Sequence, residues 1–257
     1  MPTINDLVIL GRACPEPLKD GRVTVCLAGW SATFGFVRLY PTRFDMLFKQ
    51  WDVIKVDVEL NERDTRLESW KILGSKNEWE SLAQKAKVTG NVDSPNVRRN
   101  ILGNLTDNCV MQINNEKRSL GIVQPTILQS YFKDNDDYHK LFQLGLPDLT
   151  ELDEVMVKRD FPQEPRLIYR CPECLTSNQQ HDQQVLEWGF YEWIRKNPDK
   201  KEQVWENAKI NDPDYNIYLL VGNQARYRNS FMVISVLRVA KGNINIPLFP
   251  YLKWTEE

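Results

Sequence analysis

The residues best suited to chemistry are Cys171-Pro172-Glu173-Cys174 and His181. Two thiolates two residues apart on a tight turn can aim both sulfurs at one cation, and Zn²⁺ takes cysteine sulfur at about 2.3 Å. His181 follows closely enough to be a third ligand. A fourth is not local: Cys14, Cys26, Cys109 and His139 are the candidates, and no second Cys-x-x-Cys exists. Three readings stay open, namely a structural Zn²⁺ site, a turn with free thiols, and a redox-active dithiol. Pro172-Glu173 between the thiols and the lack of a βαβ context count against the last.

A second set is basic and aromatic. Residues 215–254 contain Arg226, Arg228, Arg238, Lys241 and Lys253 and no acid, in a chain with a net charge of -2. Within it, Asn223-Gln224-Ala225-Arg226-Tyr227-Arg228-Asn229 interleaves arginine with tyrosine and amides. Arginine neutralises phosphate, tyrosine stacks on a base, and amides read base edges. Near the start, Arg12, Lys19, Arg22, Arg38 and Arg43 face only Glu16 and Asp20 over residues 12–43. If those strands curl into a barrel, Arg22 and Arg38 fall on neighbouring outward positions beside Phe36 and Tyr40, a surface able to grip a single strand. The candidate nucleic-acid-binding residues are therefore Arg22, Arg38, Tyr40, Arg226, Tyr227 and Arg228. A solvated hairpin tip and ordinary exposed strand charges are the competing readings.

Carboxylates offer an enzymatic alternative. Asp182 and Glu187 near the Cys171–His181 turn could serve a metal-dependent nuclease or nucleotide-processing effector. Asp182 at a helix start is equally explained by the helix dipole, and Glu187 and Glu192 by a wet helix face. His139 reads as a loop histidine. The chain has two histidines, no Gly-x-Ser-x-Gly, no phosphate-cradling glycine loop and no His-Glu-x-x-His. No catalytic residue is assigned.

These groups need a scaffold. The chain has 257 residues, 42% hydrophobic and 26% charged, ordinary for a globular protein and enough apolar side chain to exclude wholesale disorder. The near-neutral charge rules out a global basic field, so a polyanion needs a local patch. No apolar run approaches the ~18 residues that span a bilayer. Met1–Asp6 lacks the pattern of a secretion signal, and five irregularly spaced cysteines do not suggest a disulfide scaffold. The expectation is a cytoplasmic protein with reduced thiols.

Residues 4–10 are apolar enough for a buried strand, and 34–40 follows as a strand after the Gly29-Trp30-Ser31 turn. Alternation of apolar and polar residues predicts strands over 22–28 and 52–60, the last with Ile54, Val56, Val58 and Leu60 on one side. Four strands joined by Gly- and Pro-containing turns point to a small antiparallel barrel or sandwich. Helices are expected over 77–87 and from Ser94-Pro95. Residues 109–113 and 120–123 could pair across Asn114-Asn115, and 127–132 could be a short helix. Residues 134–165 are acidic and loop-rich, with a boundary near 160. Beyond it, 167–169 reads as a strand, 182–196 and 200–209 as helices, and 215–221 and 231–239 as two strands.

Leu7-Val8-Ile9-Leu10, Cys26-Leu27-Ala28-Gly29, Gly35-Phe36-Val37-Arg38-Leu39-Tyr40-Pro41, Asp52-Val53-Ile54-Lys55-Val56 and Asp64-Thr65-Arg66-Leu67-Glu68-Ser69-Trp70 carry a family resemblance over residues 4–130. This stretch resembles the dual OB-containing domain proteins of bacterial conflict systems. Ser119-Leu120-Gly121-Ile122-Val123-Gln124-Pro125 is similar to a second-barrel strand of that family. Pro15-Glu16-Pro17 departs from it, where a simpler basic segment would stand. The resemblance implies tandem small OB-like antiparallel barrels and nucleic-acid binding in antiviral defence. The segment from Cys171 to Gly189 looks like an extension seen beside such domains.

Together these observations predict a dual OB-like region over 1–160 and an α+β unit over 161–257 with the Cys-x-x-Cys turn. The expected role is a non-catalytic nucleic-acid-binding or adaptor subunit. Its partner is single-stranded or guide-bound nucleic acid, a larger protein complex, or both, and no membrane. A protein-interaction subunit, suggested by the eight Trp and the acidic stretch, is a further alternative.

Overall fold

The computed structural model describes residues 2–18, 20–138 and 156–241. The N-terminal part is a closed five-stranded barrel. Its strands are β1 (Thr3–Arg12), β3 (Val23–Ser31), β4 (Gly35–Arg43), β5 (Asp52–Leu60) and β6 (Ser69–Ile72), with a two-residue β2 (Glu16–Pro17) beside β3. β1 pairs antiparallel with β3, β3 with β4, β6 with β5, and β5 with β1, while β4 and β6 run parallel. β7 (Ala86–Asn91) adds to the outer edge of β5. Inside lie Leu7, Ile9, Leu27, Val37, Leu39, Ile54, Val56, Val58 and Ile72.

β1 explains its own sequence. Leu7 and Ile9 fill the barrel, while Val8 and Leu10 face a second apolar cluster outside it. A strand buried on both faces reads as a continuous apolar run, not as an alternation. Leu60, expected to share the inner face of β5, is 64% exposed because it lies at the strand's open end.

After α1 (Pro95–Leu105), β8 (Thr106–Asp107) and α2 (Val110–Asn115) comes a second group of strands. These are β9 (Leu120–Val123), β10 (Thr126–Asp134), β11 (Gln163–Arg170), β12 (His181–Gln184), β13 (Tyr215–Asn223) and β14 (Phe231–Ala240). α3 (Trp188–Lys196) and α4 (Gln203–Asn207) lie between β12 and β13. β10 pairs with β11, β11 with β12, β14 with β13, and β13 with β9, all antiparallel. Val185, just past β12, bridges to Val233 of β14 in parallel. Gln124 and Pro125 interrupt β9–β10, where proline removes a ladder donor. These pairings cross residue 160, so residues 120–134 and 163–240 share sheets and the C-terminal segment is not a separate layer.

A cluster containing Val8, Leu10, Ala28, Leu102, Leu120, Ile122, Tyr218 and Leu220 joins the two strand groups. Close approach there requires glycine: a Cβ on Gly11 would lie 2.7 Å from Ser235 Cβ.

Other expectations are corrected. Residues 110–115 form a helix, with the Cys109 thiol accepting from the Met111 N–H at its start, and β9 pairs with β13 and not with them. Residues 127–132 are strand, held by the β10–β11 ladder. The helix expected from Asp182 begins only at Trp188, because residues 181–184 belong to β11's ladder. The helix expected over 77–87 is a 3₁₀ turn over Trp79–Lys85. Ser94 and Pro95 start α1 as anticipated, with Ser94 accepting from Val97 N–H. Among the described residues no helix is long and apolar enough to cross a membrane.

Candidate metal centre and nucleic-acid interface

Four ligand-type side chains converge at one end of the second strand group. β11 and β12 pair Tyr169 opposite His181, and the Cys171–Cys174 turn leaves the end of β11. The imidazole stacks on the Tyr169 ring with centroids 5.2 Å apart. Cys109, at the N-terminus of α2, reaches the same point. The ligand atoms of Cys109, Cys171 and His181 all lie within 4.8 Å of one another and are buried. Among the described residues this is the one group of three or more such ligands. It can hold a metal ion. Cys174 lies beside it: His181 Nε2 is 3.5 Å from Cys109 Sγ and 3.4 Å from Cys174 Sγ. In a tetrahedral zinc site with bonds of about 2.3 Å to sulfur and 2.0–2.1 Å to nitrogen, neighbouring S and N ligands stand about 3.5 Å apart. The fit is close.

The surroundings prepare these groups. Burial pushes Cys171 up to about 12. Burial also opposes ionisation of Cys174, but hydrogen bonds from Thr176, the Cys171 backbone and Cys109 together outweigh it and hold that thiol below its usual value. Burial keeps His181 neutral by lowering its pKa, the form a metal requires. Backbone N–H groups of Met111 and Leu175 point at Cys109 Sγ, at 3.4 and 3.5 Å, as donors commonly do around a thiolate ligand. His139, a candidate fourth ligand from sequence, lies outside the described residues, as do Lys19 and Lys253. Cys14 sits with Phe161 and Tyr191 in another apolar cluster, and Cys26 lies beside Arg38. All five cysteines are free thiols.

Asp182 neighbours His181 in the chain but not in space. Strand alternation turns its carboxylate to the opposite face, where it accepts from Tyr131 and Arg166. Glu187 accepts from Val236 N–H and Ser235 Oγ. These two acids form no common site with the cysteines, which removes the geometric basis for the nuclease placement.

The basic residues part company. Arg38 was expected on an open barrel face. It is 4% exposed, donates to Ser119 O at 2.9 Å and to Cys26 Sγ, and faces Gly222 across the junction of the two strand groups. Burial lowers its pKa, and the second group covers the face it stands on. Arg22 is not its neighbour, since Arg38 pairs with Ala28. Arg22 instead binds Asp20 at 2.6 Å and lies over the Trp79 ring. Tyr40 is half-buried, and burial raises its hydroxyl to about 12.

Arg226, Tyr227 and Arg228 lie on the β13–β14 loop, where Tyr227 is 64% exposed. This loop meets the β5–β6 loop of the barrel. Arg228 donates to Thr65 Oγ1, and Arg66 donates to Asn223 O at 2.6 Å while pairing with Asp64. Arg63 and Leu67 of that loop are exposed. The meeting of these two loops had no sequence signal, since it depends on packing between segments about 160 residues apart.

A family described as "Domain of unknown function (DUF8758)" matches residues 3–102, the barrel and most of α1. No curated protein matches the chain. A solved structure titled "Structure of murine DNA binding protein bound with ds DNA" aligns over 96% of this chain and 100% of that one, at 10% identity and a TM-score of 0.31. A likeness at that level carries no argument.

Proposed function

We propose that the chain is a non-catalytic nucleic-acid-binding or adaptor protein made of two OB-like barrels. The second is braced by a structural Zn²⁺ on Cys109, Cys171, Cys174 and His181. In this reading the barrels are residues 3–91 and 120–240. Each has a first strand paired with its second and fourth, and a third running parallel to its fifth. A Zn²⁺ held by all four of these residues would have no open position for substrate, and it would hold α2 and the Cys171–Cys174 turn against β12. The four thiol and imidazole groups do that by position and by supplying electron pairs.

The observation that carries nucleic-acid binding is the meeting of the two equivalent loops, where Arg228 reaches Thr65 on a loop that also carries exposed Arg226 and Tyr227, in a near-neutral chain. Guanidinium groups beside a stacking ring suit a single strand's phosphates and bases. The test is fluorescence anisotropy with labelled single-stranded DNA and RNA over a range of salt. The double variant Arg226→Ala, Arg228→Ala is expected to bind more weakly on every sequence. It should also flatten the log–log salt slope by about 1.4, two contacts at about 0.7 each. Unchanged affinity and slope would show that the strand is held elsewhere.

A further inference from the structure

A recess of about 150 Å³ opens where β1, the segment after β4, the start of α3 and β14 come together. Its walls include Arg12, Phe48, Gln50, Glu187, Trp188 and Ser235. None belongs to the loops proposed above to hold phosphates or to the cysteine cluster. We propose that this recess binds a single nucleobase, with Phe48 and Trp188 against its faces and Glu187 and Arg12 reading its edge.

The polar groups select this class. Glu187 Oε2 takes the Val236 N–H at 2.6 Å and the Ser235 hydroxyl at 3.2 Å, whereas Oε1 has only a long 3.5 Å contact from Gln50 Nε2. Gln50 is itself fixed by a 2.6 Å bond to Ser235 Oγ. One carboxylate oxygen is thus left wanting an N–H donor. Arg12 gives one guanidinium N–H to Phe44 O, while its buried Nε has no partner. A buried donor left unpaired carries a desolvation penalty that a ligand acceptor would relieve. Arg12 and Glu187 line the same recess yet make no ion pair with each other. A simple cation would meet Arg12, and a simple anion would meet Glu187. A planar molecule alternating N–H and C=O along one edge suits both, and the volume holds one ring system, not a whole nucleotide. Burial pushes Glu187 up to about 7, so both its forms are populated near neutrality. Guanine, cytosine and uracil, which carry an N–H donor as well as a carbonyl on one edge, match it better than adenine, which has no carbonyl.

The test is isothermal titration of the full chain with guanosine, cytidine, adenosine and uridine 5′-monophosphates, and with ribose 5-phosphate. Saturable binding is expected, weakest of the four for the adenosine compound and absent for ribose 5-phosphate. Glu187→Gln should weaken it about tenfold, the loss of one charge-assisted hydrogen bond. Gly189→Ala guards against misfolding of that variant. Its methyl would stand at an ordinary 3.5 Å from Glu187 Oε1, narrowing the recess that Gly189 lines without straining an exposed helix position, and it should also weaken binding. Competition with a guanine-rich oligonucleotide separates the sources: displacement identifies a base turned out of a strand, and no displacement a free nucleotide. Equal binding of ribose 5-phosphate, or no saturation by the guanosine, cytidine or uridine compound, overturns the proposal. Arg226→Ala with Arg228→Ala leaves this binding intact, so failure of the loop reading is read separately.

Discussion

Glu187 predicts a pH dependence of stability that one conservative substitution removes. Ser235 and Val236 hold Oε2 of its carboxyl, Gln50 stands 3.5 Å from Oε1, and the cation facing it is Arg238. Burial dominates, raising the group from an ordinary 4.5 to about 7 despite the stabilising hydrogen bonds. A carboxyl raised on folding is held preferentially protonated. Its contribution is complete below about pH 4.5 and is lost as pH rises through about 7. Each pKa unit corresponds to about 1.4 kcal/mol, so ionising the buried group costs about 1.4 kcal/mol at pH 5.5 and about 3.4 kcal/mol at pH 8.5. The change between them is about 2 kcal/mol. Urea unfolding of the parent and of Glu187→Gln at both pH values measures it, and other titrating groups cancel in the comparison. The parent should lose about 2 kcal/mol more than the variant on going to pH 8.5. Parallel behaviour of the two proteins would mean that the carboxylate is solvated and that the enclosed picture of this junction is wrong.

Purified protein should carry about one zinc per chain by elemental analysis, and Cys109→Ser should lower that content as much as Cys171→Ser, since closed structural sites use four ligands. Equal zinc in the Cys109 variant and the parent would remove that residue from the site. Arg38→Ala should destabilise the fold by about 2–4 kcal/mol through a lost buried hydrogen bond and a cavity, without changing oligonucleotide affinity. A drop in affinity at unchanged stability would put Arg38 back on a binding surface. Gly11→Ala should cost about 1–3 kcal/mol because its Cβ would overlap Ser235, and an unchanged unfolding midpoint would deny the close approach of β1 and β14.

Strand alternation made most of the barrel legible. Val25 and Leu27, or Ile54, Val56 and Val58, point inward as a period of two requires. The Ser94-Pro95 start of α1 was equally local. Cys171, Cys174 and His181 could be grouped because a turn and one strand pairing bring them together. By itself the sequence therefore determined the main barrel strands and the β13–β14 pair, the lone Cys-x-x-Cys turn, and the isolated arginine–tyrosine loop.

Cys109 was only one of four candidates, because its place depends on α2 packing beneath a turn 62 residues later. Arg38 misled for the same reason: outward on its own strand, it becomes interior only when the second strand group covers that strand. Which face of β1 meets solvent, which loop meets Thr65, and which oxygen of Glu187 stays free were all decided by tertiary packing. Hydrophobic pattern records that a face is buried but not what buries it. Partners at long sequence separation are chosen by shape and hydrogen-bond satisfaction across surfaces that exist only after each strand group has formed.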